Sequence, residues 1–104
     1  MSHPRHALDD LMSHPVRYSI LALLAAAERA EFGFVRDHVE VSDSVLSKQM
    51  TSLQDAGYVK VHKGYVENRP RTWLSLTRRG RQTFERHLAA LREIAASNGT
   101  RVAL

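Results

Sequence analysis

Apolar residues recur along this chain with two different periods, and the change of period organises it. Val16, Ile20, Leu23, Leu24 and Ala27 fall on one stripe of a 3.6-residue repeat, which predicts an amphipathic helix. Its start is marked by Ser13-His14-Pro15: Ser13 or His14 can cap, and Pro15 suits a first helical position, where an N–H is not needed. The stripe predicts an end near Glu28 to Glu31. Before it, residues 7–12 (ALDDLM) can form a short helix, and residues 1–6 are expected to be loose. Phe34, Val35 and His38 predict a second, short helix over about 34–39. A break at Glu40–Ser42 follows, and Ser42 is a good N-cap for a third helix over about 43–56, with Asp43 suited to a positive helix end. Leu46, Met50 and Leu53 would face inward, and Gly57 can take the left-handed conformation that ends a helix.

Beyond Gly57 the period drops to two. In YVKVHKGY (58–65), Val59 and Val61 share one face; in RTWLSL (71–76), Leu74 and Leu76 share one face, with Arg71, Trp73 and Ser75 opposite. This alternation predicts two half-buried strands, with Val66 to Pro70 turning between them. Trp73 sits on the wrong side for the core, so it either covers the third helix or marks a register slipped by one. Thr77 can cap a last helix over about 78–97 that carries Phe84, Leu88, Leu91 and Ile94, and residues 98–104 are expected to fray. The fold class is therefore mainly α with a small β-hairpin: one domain over 1–104, a helix-turn-helix with a wing at about 58–76.

Charge adds direction. The net charge is +4, but residues 1–40 carry four Arg against six acids, while residues 41–104 carry eleven Lys or Arg against five acids. A basic half beside a slightly acidic one suits a polyanion, although a solvated basic surface has the same composition. The outward face of the third helix shows Ser44, Ser47, Lys48, Thr51, Ser52, Gln54 and Asp55. Hydroxyls are common near helix starts, so this face alone decides nothing. Followed directly by a basic hairpin, it is thin and polar enough to enter a DNA major groove about 12 Å wide.

The segment SDSVLSKQMTSLQDAGYVKV (42–61) resembles the recognition helix and first wing strand of winged-helix transcription regulators of the ArsR and MarR type. SHPVRYSILALL (13–24) is similar to the first long helix of the ArsR type. NRPRTWLSLTRRGR (68–81) is similar to the wing and final-helix start of small winged-helix regulators. The similarity covers roughly residues 8–92. It implies sequence-specific binding of double-stranded DNA by a homodimer, with half-sites about one helical turn apart. Carried onto this chain, Ser42, Ser44, Ser47, Lys48 and Thr51 would read the major groove, and Lys63, Asn68, Arg69 and Arg71 would form the wing contacts. Asp43 departs from the pattern, either as a cap or as a charge that repels phosphate.

Arg78, Arg79 and Arg81 crowd the positive start of the last helix, an arrangement that a phosphate or an acidic side chain would relieve. Arg78 and Arg79 therefore join the candidate DNA contacts. The stripe Phe84, Leu88, Leu91 and Ile94 exceeds what a small core covers, which predicts a two-fold dimer seam helped by Ile20 and Leu24.

Other chemistries fit less well. No Cys is present, so disulfides and thiolate metal sites are out. Six His residues (3, 6, 14, 38, 62, 87) raise the thought of a metal-responsive switch, but a site needs three or four converging ligands, and the last helix holds only His87. No nucleophile elbow, phosphate-cradling Gly loop or paired-carboxylate motif suggests an enzyme or a cofactor. A winged helix used for protein–protein contact is the other class to separate. The longest apolar run, ILALLAAA (20–27), is too short to span a bilayer, and no signal peptide is evident, so a cytoplasmic protein is expected. A small-molecule effector is compatible with all of this and is not identified by it.

Overall fold

The computed structural model describes residues 2–99. After two 3₁₀ turns, Pro4–Ala7 and Leu11–Ser13, come α1 (Pro15–Ala25), β1 (Ala30–Glu31), α2 (Phe32–Val39), α3 (Asp43–Asp55), β2 (Val59–Val66), β3 (Arg69–Leu76) and α4 (Arg78–Gly99). The expected order of helices and hairpin holds. The body is elongated, 63 × 24 × 21 Å.

The core is built where the stripes converge. Ile20, Leu21 and Leu24 of α1, Val35 of α2, Leu46 and Leu53 of α3 and Leu74 of β3 are fully buried, with Met12 beneath them. The α3 stripe Leu46, Met50 and Leu53 faces inward as its spacing predicts. On α1 the buried stripe includes Leu21 and leaves Leu23 only half-buried. The hairpin register pairs Val59 with Leu76 and Val61 with Leu74, which puts both apolar pairs on the core side.

Tertiary contacts redraw several boundaries. α1 stops at Ala25 rather than near Glu28–Glu31, because Ala30 and Glu31 pair with Leu74 and Trp73 as a third strand, in the order β1-β3-β2. His14, not Ser13, caps α1: its Nδ1 accepts the Val16 N–H at 3.2 Å. Residues 7–12 do not form one helix. Asp9 instead accepts the Met12 N–H on Oδ1, and its own N–H donates to His87 Nδ1 at 2.9 Å. A side chain that bonds nearby backbone in this way competes with helix. Residues 4–6, expected to be loose, form a 3₁₀ turn with Ala7 against α4. The helical backbone of α4 continues through residues 98 and 99, and the expected fraying of 100–104 lies outside the described residues.

The wing turn is shorter than the sequence suggests. Glu67 and Asn68 both have positive φ, 52° and 65°, so the hairpin closes in two residues between Val66 and Arg69. Two positive φ values give the turn the twist that strands favour. Pro70 therefore lies inside β3, opposite Tyr65, rather than in the turn. It is tolerated there because β1 reaches only as far as Trp73 and leaves that edge unpaired.

One junction fixes α3, the wing and α4 together. Gly57, at φ 78°, ends α3. Thr77 Oγ1 donates to the Gly57 carbonyl at 2.6 Å and accepts the Gly80 N–H at 2.9 Å, while the Thr77 N–H donates to the Tyr58 carbonyl at 3.0 Å. A Cβ on Gly80 would stand 2.0 Å from that carbonyl oxygen. Gly80→Ala should therefore destabilise the fold by about 2–3 kcal/mol, as overpacking against backbone does. Urea unfolding will show it; an unchanged midpoint would mean that the junction yields freely.

His87 is buried at 3% exposure, and burial lowers its pKa below the ordinary 6.5, partly opposed by the Asp9 charge. The unfolded chain then takes up the proton first as pH falls. Stability contributed by neutral His87 is complete above about pH 6.5 and is lost as pH drops from there towards the lower folded value. Unfolding midpoints between pH 7.5 and pH 5, on an approximate scale set by that ordinary value, should fall more steeply for the native chain than for His87→Asn. Equal slopes would contradict the assignment.

Candidate nucleic-acid interface

The outer face of α3 begins at its cap. Ser42 Oγ accepts the Val45 N–H at 3.2 Å and lies 3.2 Å from Ser44 Oγ. Glu40, left-handed at φ 61°, turns the chain out of α2, and the Val41 N–H returns to the Arg36 carbonyl. Arg36 then spans the turn. Its Nε donates to Asp37 Oδ1 and its Nη1 to Asp43 Oδ1, each at 2.8 Å. The bond from Arg36 holds the Asp37 carboxyl below its ordinary value. Asp43 is thus ion-paired to the preceding helix, which settles its departure from the expected pattern: its charge is matched within the fold. The pair is exposed, so its effect is to set the angle between α2 and α3 rather than to add much stability.

Ser44, Ser47, Lys48 and Thr51 are all exposed and lie at successive three- and four-residue steps, hence on one stripe. Thr51 Oγ1 donates to the Ser47 carbonyl at 3.1 Å, which leaves its oxygen lone pairs facing outward. Opposite this stripe stands the inner face of the hairpin. A cleft of about 380 Å³ lies between them, with Ser47, Thr51 and Gln54 on the α3 side and Lys63 and Thr72 on the β2–β3 side. One cation and no carboxylate line it.

The regular register divides the wing residues between two faces. Val61, Lys63 and Tyr65 follow one another on the inner face, with Leu74, Thr72 and Pro70 as their partners. Arg69 and Arg71 fall on the outer face with Trp73, and Asn68 stands at the turn. The sequence placed Lys63, Asn68, Arg69 and Arg71 in one group; the structure separates Lys63 from the two arginines. Such a hairpin can still straddle a phosphate ridge, with cations on either side.

This arrangement agrees with comparisons to known proteins. The sequence profile of the winged helix DNA-binding domain family matches residues 16–95. The chain belongs to that family. An uncharacterized protein of Methanocaldococcus jannaschii, MJ0432, is 28% identical over 80 residues, 77% of this chain and 87% of the relative. The solved structure of a transcriptional regulator homologue protein from Pyrococcus horikoshii OT3 superposes with a TM-score of 0.86 at 23% identity, covering 95% of this chain and 99% of that one. Overoxidized AbfR bound to DNA gives a TM-score of 0.64 at 21% identity, over 81% of this chain and 59% of that one. The family is that of winged helix DNA-binding domains, and the fold is shared with these solved structures.

Within the winged helix, the basic cluster at the start of α4 has internal uses. Arg81 donates to the Ala25 carbonyl at 3.1 Å, where the negative end of α1 favours it. Arg79 lies over the Tyr58 ring at 5.8 Å, while Arg78 is exposed. A carbonyl and an aromatic face thus do what a phosphate or an acid was expected to do. Trp73 neither covers the recognition helix nor marks a slipped register. It lies on the outer sheet face with the Arg29 guanidinium 4.7 Å from its ring and His62 at 5.8 Å.

Ile20 and Leu24, expected at a dimer seam, are wholly inside the protomer's own core and have no surface to offer a partner. Phe84 is 7% exposed and stacks on Tyr18 at 5.5 Å, so the near end of the α4 stripe also folds inward. Leu88 and Ile94 are half-buried and Leu91 is exposed. Among the described residues, no three His, Cys, Asp or Glu side chains stand close enough to hold a metal ion, and no helix is long and apolar enough to cross a membrane. The residues that sequence reasoning missed are Arg36 and Tyr58, both reading as ordinary surface and core positions; only their distant partners reveal them.

Substitutions should separate the roles of helix and wing. Arg69→Ala and Arg71→Ala are expected to weaken binding to all DNA sequences and to lower the log–log salt slope by about one each. Ser47→Ala and Lys48→Ala should instead change which sequence is preferred. Binding isotherms on two unrelated DNA duplexes at several salt concentrations distinguish them, and identical behaviour of the two sets would refute the division.

Proposed function

We propose that this winged helix DNA-binding protein is a sequence-specific, non-catalytic transcription regulator that acts in the cytoplasm as a homodimer. The observation that carries the reading is the cleft between the polar stripe of α3, with Ser47 and Thr51 at its edge, and the inner face of the hairpin, with Lys63 at its edge and Arg69 and Arg71 on the far face of the same ribbon. Ser42 and Ser44, at the helix start, sit where an N-terminus favours a phosphate. Ser47, Lys48 and Thr51 meet base edges in the major groove, and the wing with Asn68 runs on to the backbone and the minor groove. Arg78 and, through its outer nitrogens, Arg79 add phosphate contacts beside the wing base.

Dimerisation is supported by the far part of α4. Leu88, Leu91 and Ile94 follow Phe84 along the same stripe, and Leu91 is 37% exposed in the protomer. Pairing of two such stripes about a two-fold axis would place two recognition helices one helical turn apart, about 34 Å. The regulator homologue from Pyrococcus horikoshii and the DNA-bound AbfR structure share the fold on which this reading rests.

Selection of bound duplexes from a random pool tests binding, symmetry and spacing together. The expected product is a palindrome whose half-sites repeat at about 10 base pairs. Affinity for it should fall by about 0.9 log units per log unit of salt for each phosphate neutralised. A flat salt response, with no enriched sequence, would overturn the regulator reading and favour a winged helix that binds protein. Leu91→Glu should shift sedimentation from dimer to monomer; an unchanged dimer would place the interface elsewhere.

A further inference from the structure

The wing carries an aromatic that the phosphate contacts do not use. Tyr65 is 77% exposed, the largest exposure of any large apolar side chain among the described residues. It sits opposite Pro70, one pair before the turn. The inner face of the ribbon changes in steps towards the tip. Val61 and Leu74 lie against the core, Lys63 and Thr72 line the cleft beside α3, and Tyr65 and Pro70 are exposed beyond both. Among the described residues β1 pairs with β3 only as far as Trp73, so both edges of the ribbon are open beyond it. A lone exposed apolar residue needs no explanation. Here a tyrosine and a proline form one apolar rung next to a tight two-residue turn, with Lys63 two residues back on the same face, Arg69 and Arg71 on the opposite face of the ribbon and Glu67 the one acid, at the turn.

We propose that the Tyr65–Pro70 rung enters the DNA minor groove and makes the protein select A·T pairs beneath the wing. The inference rests on the DNA-binding reading above and assigns a specificity role to a residue outside its contact set. The ribbon that carries the rung holds three cations, Lys63 on its own face and Arg69 and Arg71 on the other, against the single acid Glu67, and this balance favours a polyanion as its occupant. Two residues along a strand advance it by about 7 Å, so when Lys63 meets a phosphate at the groove lip the rung lies about that much deeper. The minor groove is about 6 Å wide and 7.5 Å deep, and its walls are deoxyribose C–H surfaces that suit a flat ring and a proline. On its floor A·T pairs present only acceptors, to which the Tyr65 hydroxyl can donate. A G·C pair adds the guanine 2-amino group, a donor that fills the floor and opposes the hydroxyl proton.

The experiment uses the full chain and a duplex recovered by the selection described above, with the base pairs under the wing exchanged. Replacing A·T by G·C there should weaken native binding roughly tenfold. Replacing it by inosine·cytosine, which lacks the 2-amino group, should restore affinity. Tyr65→Ala should bind the A·T duplex more weakly, lose this discrimination and keep the native salt slope, since no phosphate contact is removed. Tyr65→Phe should keep part of the affinity through ring packing and lose part of the preference with the hydroxyl. Circular dichroism confirms the fold of each variant.

The proposal is overturned if Tyr65→Ala keeps native affinity and native flank preference while Arg71→Ala still weakens binding. It is also overturned if Tyr65→Ala changes the sedimenting species and leaves DNA affinity intact, because the rung then contacts a second copy of the chain. Failure of the native chain to bind any duplex in a salt-dependent way removes the DNA-binding reading and this proposal together, a result distinct from the other two.

Discussion

The backbone of Tyr58 and the hydroxyl of Thr77 hold the molecule at the point where four elements meet. α3 ends at Asp55, just before the left-handed Gly57, β2 starts at Val59, β3 ends at Leu76, and α4 starts at Arg78. Thr77 Oγ1 bridges the Gly57 carbonyl and the Gly80 N–H, and the Thr77 N–H returns to the Tyr58 carbonyl. Only a residue without Cβ fits at position 80. The Tyr58 hydroxyl extends the network to Asp9 Oδ2 at 2.6 Å, and burial, then this bond, raise the Tyr58 pKa and keep the phenol protonated. A recognition helix and a wing can grip one duplex only if their relative pose is fixed. This junction fixes it with backbone atoms, which tolerate little adjustment.

The two periods in the sequence were enough for the helix-turn-helix, the strand register and the inward stripe of α3, because each is a local pattern that the core then rewards. Features made by distant pairs were not legible. β1 has two residues and exists only because Leu74 and Trp73 offer it a ladder. The end of α1 is set jointly by that strand and by Arg81 from α4. Asp9 looked like part of a short helix because nothing near it in sequence reveals His87, 78 positions away. The turn was misjudged for another reason. Glu67 is an uncommon choice for a left-handed residue, so Pro70 drew attention as the stronger turn signal.

For the candidate site, residue type was easier to read than direction. The outward stripe of α3 follows from its inward one. Alternation along β3, however, puts Arg69 and Arg71 on the face opposite Lys63, which a count of positive charges cannot show. Counting charges also hides internal use, since Arg81, one of three arginines crowded at the start of α4, is taken up by the Ala25 carbonyl of the fold itself. The apolar stripe of α4 had a similar history: Phe84 closes the protomer's core and only the segment beyond it is open to a neighbour.

Trp73 gives the outer side of the wing an optical property. It is the single tryptophan in the chain, so all indole emission arises from one place. Its ring is half-buried, with the Arg29 guanidinium over one face and the His62 imidazole beside it. Both neighbours are groups that alter an excited indole, and Arg71 stands two residues before it on the same face. Any event that draws the arginines of this face towards a phosphate rearranges the immediate surroundings of the fluorophore. The protein thus carries an unlabelled reporter of what happens on the outer face of its hairpin.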